Sequence, residues 1–101
     1  MRTEIMLSSY ASGRMIGLRA RAVPVRKQLE AAIDDGFDVV LNFQGIEVTQ
    51  SFIDELVGLL ILRTGPEVLD RLIFQNCSDS VQAIVKFVAS DRADQFVRSS
   101  H

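Results

Sequence analysis

The chain of 101 residues has no tryptophan and contains only one cysteine, one histidine and two prolines. A single cysteine excludes an internal disulfide framework, and because no secretory or transit segment is visible, we expect a reducing, cytoplasmic location. The one histidine, His101, is the last residue, and terminal side chains are poorly placed to act as a catalytic base. These scarcities argue against a cysteine–histidine dyad and against a histidine-rich metal site.

Acidic residues are missing between Glu4 and Glu30. The basic segment, residues 14–27, holds five bases: Arg14, Arg19, Arg21, Arg26 and Lys27. Residues 1–29 contain six bases and one acid, whereas residues 30–101 contain five bases and twelve acids. Such a segment suits an acidic protein, a phosphate or a nucleic acid, and it is equally typical of the solvated side of helices. No aromatic residue is interleaved among these bases, which argues against a stacking platform for single-stranded nucleic acid.

The overall composition is that of an ordinary folded domain. Hydrophobic residues make up 48% of the chain and charged residues 24%, close to the averages for soluble globular proteins. The length fits one domain spanning residues 1–101. We therefore expect a packed core, with a first short strand over residues 3–8.

The next segments predict alternating helices and strands. Ser12 precedes apolar residues at helical spacing, which predict a short first helix with Ser12 as its N-cap. Pro24 is suited to the first position of a second helix, which ends at Gly36. Residues 37–43 are mostly apolar and β-favouring, which predicts a central buried strand. Residues 71–75 predict another strand. A helix, a glycine and a buried strand in this order indicate an α/β fold.

A third helix is predicted after the central strand. Residues 52–63 predict a helix with Ser51 as its N-cap, ended by Gly65 and Pro66. Its stretch from Leu56 to Leu62 is apolar on every side and far shorter than the roughly 20 residues that span a bilayer. Such a helix must be covered within the fold, by another protein or by a second copy of the chain. The turn at residues 76–78 predicts a final helix, with a break near residues 90–91.

Two runs carry a resemblance to a known family: residues 39–46, Val-Val-Leu-Asn-Phe-Gln-Gly-Ile, and residues 48–56, Val-Thr-Gln-Ser-Phe-Ile-Asp-Glu-Leu. With them the chain resembles the STAS-like domain family of unknown function, a relative of anti-sigma factor antagonist domains. The resemblance implies a small central sheet of three to four strands flanked by helices, in a STAS-like sandwich. It also implies a regulatory role through a protein partner, such as an ATPase or a kinase-like regulator.

Ser51 corresponds to the phosphorylated serine of anti-sigma factor antagonists. The neighbouring positions depart from that pattern, because Gln50 replaces an aspartate and Phe52 and Ile53 replace a small residue and a glycine. Despite these departures, the match at Ser51 implies phosphorylation or partner binding at a set of five residues: Thr49, Gln50, Ser51, Phe52 and Glu55. The simpler reading is that Ser51 only caps the helix.

No catalytic or cofactor motif stands out. Cys77 lies between a strand and a helix but lacks a histidine partner, and Asp54 and Glu55 are adjacent, so they point about 100° apart on a helix. No metal or cofactor is expected, and an enzyme is disfavoured. Two functions remain open: a regulatory protein-interaction module using the Ser51 region, and a nucleic-acid-associated accessory protein using the basic segment.

Overall fold

The computed structural model describes residues 1–99, and the structural statements that follow concern this part of the chain. Strands and α-helices follow one another in the order β1 (Arg2–Met6), β2 (Met15–Ile16), α1 (Arg19–Asp34), β3 (Asp38–Asn42), β4 (Glu47–Val48), α2 (Gln50–Ile53), α3 (Leu59–Thr64), β5 (Leu72–Gln75) and α4 (Asp79–Ser99). A π-helical turn, Asp54–Gly58, joins α2 to α3. We call the continuous segment of residues 50–64 the central helix. Two 3₁₀ helices complete the path, Leu7–Tyr10 and Pro66–Arg71.

The main sheet has three parallel strands in the order β1-β3-β5. Its middle strand is β3, so the predicted central strand is confirmed. In the register of the sheet, Ile5, Leu41 and Phe74 lie side by side. A second, two-stranded parallel sheet pairs β2 with β4. The expected α/β architecture, a small sheet flanked by helices, is therefore confirmed.

The central helix is covered within the fold. Leu56, Leu60 and Ile61 are almost fully buried, because both α1 and α4 pack against this helix. The apolar stretch from residue 56 to residue 62 is thus largely covered inside one chain, with Leu59 and Leu62 partly exposed. Contact of this helix with a second protein or a second copy of the chain stays a prediction.

The predicted short helix after Ser12 is wrong, whereas the predicted helix that ends at Gly36 is present but begins at Arg19 rather than at Pro24. Met15 and Ile16 form β2, with Met15 exposed and Ile16 buried. A single helix, α1, then continues through Pro24. An interior proline costs about 3 kcal/mol, but Val25 and Leu29 are fully buried, and burying such a side chain contributes about 1.5–3 kcal/mol each. The free energy gained by burying Val25 and Leu29 therefore outweighs the cost of a proline inside the helix.

The ends of the other helices follow the sequence more closely. Gly36 has φ +88° just after α1, and Gly65 has φ +95° just after α3, so both predicted stops are confirmed. The hydroxyl of Ser78 accepts a hydrogen bond from the Val81 N–H (3.1 Å) and caps α4. The predicted break near residues 90–91 is wrong, because α4 runs without interruption to Ser99.

Candidate functional site

The start of the central helix is capped by Thr49, and the prediction that Ser51 is the cap is wrong. Thr49 Oγ1 accepts a hydrogen bond from the Phe52 N–H at 3.2 Å. The same hydroxyl donates to the Gly17 carbonyl at 2.7 Å, which ties the helix start to the segment before α1. Since Thr49 satisfies the free amide of the first turn, the Ser51 hydroxyl is not required for capping.

Ser51 is exposed on the first turn of the central helix, and Gln50 beside it is exposed as well. Both residues line a polar surface pocket of about 340 Å³, whose other lining residues are Arg19, Asp54, Asp91 and Arg92. We call this the Ser51 pocket. Two guanidinium groups and two carboxylates thus face the same recess as the serine.

Two other members of the predicted set lie inside the fold. Phe52 is fully buried in the hydrophobic core, and Glu55 is 8% exposed. Neither side chain is presented on the surface as the structure stands. The exposed members of the predicted set are therefore Gln50 and Ser51.

Asp54 is held between two helices by arginines. Arg92 of α4 donates from Nε to Oδ1 and from Nη2 to Oδ2, both at 2.6 Å. Arg19 of α1 donates from Nη2 to Oδ2 at 3.1 Å. The Arg92 guanidinium, assisted by Arg19, holds the pKa of the Asp54 carboxyl below its ordinary value, although burial acts in the opposite direction. Asp54 is accordingly ionised at neutral pH.

The ion pairs continue from Asp54 along one face of α1. Arg19 Nη1 lies 3.3 Å from Glu55 Oε1, and Arg26 Nε lies 3.2 Å from Glu55 Oε2. Arg26 also pairs with Glu30 at 3.2 Å, and Glu30 in turn pairs with Arg63 of α3. We call this series the ion-pair chain; it runs through Arg92, Asp54, Arg19, Glu55, Arg26, Glu30 and Arg63. It connects α1, α4 and both halves of the central helix.

The π-helical turn and its glycine make room for this chain. The Leu59 N–H bonds to the Asp54 carbonyl, five residues back, so the turn holds one residue more than an α-helical turn. A Cβ atom at Gly58 would lie 2.5 Å from Asp54 Oδ1 and 3.2 Å from Arg92 Cγ. Glycine is therefore needed where α4 brings Arg92 across the turn.

Arg92 is a residue of this site that the sequence did not predict. The residue lies 38 positions after Asp54, and no local spacing relates them. The available signal was Gly58, a glycine within an apolar helix, which often marks the close approach of another group.

The basic segment is divided by the fold. Arg19 and Arg26 belong to the ion-pair chain and face carboxylates. Arg14, Arg21 and Lys27 are exposed. Three of the five bases are thus exposed and lie outside the ion-pair chain.

Groups that could support catalysis are sparse in residues 1–99. No cluster of three histidine, cysteine, aspartate or glutamate side chains that could hold a metal ion occurs there. Burial raises the pKa of the half-buried Cys77 thiol, which disfavours the thiolate needed for nucleophilic attack. His101 lies outside the described residues. No helix within residues 1–99 is long and apolar enough to cross a membrane.

Comparison with known proteins gives one match. A family model described as a STAS-like domain of unknown function matches residues 21–82. The matched region runs from α1 to the start of α4 and includes the Ser51 pocket's helix. No curated protein and no solved structure matches the chain.

Proposed function

Because the chain belongs to the family of STAS-like domains of unknown function, we propose that it is a non-catalytic, cytoplasmic regulatory module that binds a protein partner through the Ser51 pocket. Phosphorylation of Ser51 by an ATPase or kinase-like partner controls this binding. The supporting observation is that Ser51 is exposed and shares its pocket with Arg19 and Arg92, while its neighbour Thr49 supplies the cap.

The proposal depends on the Ser51 hydroxyl not being used as the helix cap. A serine that caps a helix is tied to a backbone amide, and its modification would disturb the helix start. Here Thr49 makes that bond, so the Ser51 hydroxyl is accessible to a kinase while the fold is intact. In the transfer, the γ-phosphoryl group of ATP moves to Ser51 Oγ, the hydroxyl proton passes to a base of the kinase, and ADP leaves.

A phosphate on Ser51 would alter the charge of the pocket strongly. It adds a charge of about −1.5 to −2 at neutral pH beside Asp54, which is already ionised. The helix N-terminus favours a negative charge at this place, and Arg19 and Arg92 offer donors for it. The phosphate then competes with Asp54 for these two arginines, so phosphorylation changes the surface presented to the partner.

The test places a photoreactive cross-linking residue at position 51 in the cells from which the chain comes. The matched control is position 80, because Ser80 is also exposed and is the second residue of a serine-capped helix, α4. We expect a partner that is cross-linked from position 51 and not from position 80. Its affinity should then be equal for wild type and Ser51→Ala and altered for Ser51→Asp.

The phosphorylation step has its own readout. After incubation with ATP and the captured partner or its kinase, the intact mass should increase by one phosphate in wild type and in Ser80→Ala, and should stay constant in Ser51→Ala. Equal cross-linking from both positions, together with an unmodified Ser51, would refute the proposal.

A further inference from the structure

A second recess lies away from the Ser51 pocket, between the end of β5 and the first turns of α4. This groove has a volume of about 420 Å³, within the range of ligand sites. Its lining residues are Phe74, Asn76, Cys77, Gln82, Val85 and Lys86. None of them lines the Ser51 pocket, so the groove is a separate surface. We call it the β5 groove.

The backbone of β5 is available at the edge of the sheet. β5 pairs with β3 on one side and is the last strand in the order β1-β3-β5. The Gln75 carbonyl accepts a hydrogen bond from the Phe43 N–H at 2.9 Å. Because the bonding direction alternates along a strand, the N–H and C=O of Phe74 point to the opposite, free edge. Such an edge is a template for another extended segment.

The side chains of the β5 groove combine an apolar floor with one cation. The Phe74 ring is half-buried and stacks on Phe43, with ring centroids 6.3 Å apart. Val85 of α4, which is 9% exposed, also lines the groove. Lys86 is exposed, and it forms no ion pair within residues 1–99. The groove therefore complements an apolar side chain flanked by a carboxylate.

We propose that the β5 groove binds an extended acidic peptide segment of a partner protein, which adds to β5 as a further strand. In this arrangement the peptide backbone bonds to the N–H and C=O of Phe74. One apolar side chain of the peptide rests on Phe74 and Val85, and a carboxylate of the peptide lies against Lys86. In such strand addition, the hydrogen bonds between main chains provide the affinity, and a pocket that accepts alternate side chains of the peptide provides the specificity.

A displayed library of random octapeptides tests this proposal directly. Selection on the wild-type chain should enrich sequences that alternate apolar with other residues and carry aspartate or glutamate. For the most enriched octapeptide, Lys86→Glu should weaken binding by about tenfold or more. Lys27→Glu, which reverses another exposed charge, on α1, should leave the affinity unchanged.

Two further measurements distinguish strand addition from other occupants. Gln82→Trp, which fills the groove, should abolish binding, whereas Ala83→Trp, one residue along the same helix and outside the groove, should not. On binding, amide hydrogen exchange should slow at Phe74. Both variants are checked by thermal unfolding to ensure that they fold.

Several outcomes would overturn the proposal. The first is that no octapeptide is enriched. The second is an enriched peptide that binds without slowing exchange at Phe74, or that binds Lys86→Glu as well as wild type. The third is a dimer of the chain, detected by sedimentation, that protects the Phe74 amide from exchange and that the peptide does not dissociate. Because these variants leave Ser51 unchanged, the result is independent of the Ser51 experiments.

Discussion

Replacing Gly58 with alanine tests whether the π-helical turn exists to admit Arg92. Gly58 has helical backbone angles, φ −60° and ψ −45°, so local propensity alone predicts that alanine stabilises the helix by about 1 kcal/mol. The structure predicts the opposite sign. The added Cβ would lie 2.5 Å from Asp54 Oδ1, and that oxygen is fixed by the bidentate bond to Arg92.

The expected cost follows from the burial of the pair that must move. The side chains of Arg92 and Asp54 are 22% and 13% exposed, so the pair is neither on the surface nor fully buried. Exposed pairs contribute about 0–1 kcal/mol, and breaking a buried pair costs about 3–5 kcal/mol. Taking about 2–3 kcal/mol for this pair and subtracting the propensity gain leaves a net destabilisation of about 1–2 kcal/mol.

Thermal unfolding at pH 7, followed by circular dichroism, measures this change. We expect Gly58→Ala to lower the melting temperature by about 5–15 °C for a domain of this size. In an Arg92→Ala background the pair is already absent, so the same alanine should cost much less or become stabilising. A Gly58→Ala protein that is more stable than wild type, with no coupling to Arg92, would refute the reasoning.

The remaining predictions concern the cap, the core and acid stability. Thr49→Ala should destabilise the fold by about 0.5–2 kcal/mol because it removes a cap, whereas Ser51→Ala should stay within about 0.5 kcal/mol of wild type; denaturant midpoints compare the two, and equal losses would contradict the capping assignment. Leu60→Asp should prevent folding, since an unpaired carboxylate in the core costs several kcal/mol of a total of about 5–15 kcal/mol; a soluble variant with an unchanged melting curve would show that the placement is wrong. The lowered pKa of Asp54 stabilises the fold above the unfolded pKa of about 3.9, and this contribution is lost as pH falls through the lower, folded value. Asp54→Asn should therefore weaken the fall in stability below about pH 4, measured by urea unfolding across that range; an unchanged profile would argue against the pairing with Arg92.

The parts of the fold that could be predicted are those specified locally. The apolar run around Val40 identified the central strand, and Gly36 and Gly65 marked two helix ends because their positive φ angles favour glycine. The strand at Met15 and Ile16 was missed because two residues carry no periodicity, and its partner, β4, lies more than 30 positions away.

The candidate site was predicted only in outline. The start of the central helix was predicted at the correct turn, but Thr49 and Ser51 are two hydroxyl residues within three positions, and either can cap. The choice depends on the Gly17 carbonyl, which bonds to Thr49 and comes from a distant part of the chain. The arginines that surround Asp54 come from α1 and α4, so their meeting depends on helix packing, which local patterns do not encode.

The π-helical turn gives the central helix a place where its length can vary. The turn is closed by the bond from the Leu59 N–H to the Asp54 carbonyl, five residues back. It therefore holds one more residue than an α-helical turn, which is closed by a bond to the fourth residue back. A homologue lacking one residue here could close an ordinary α-helical turn while Phe52 and Leu60 still face the core. Such a deletion would shift Asp54 or Glu55 relative to the arginines. Loss of one residue from this segment would thus preserve the helix but disturb its ion pairs. We expect homologues with a gap at residues 54–58 to differ also at Arg19 and Arg92.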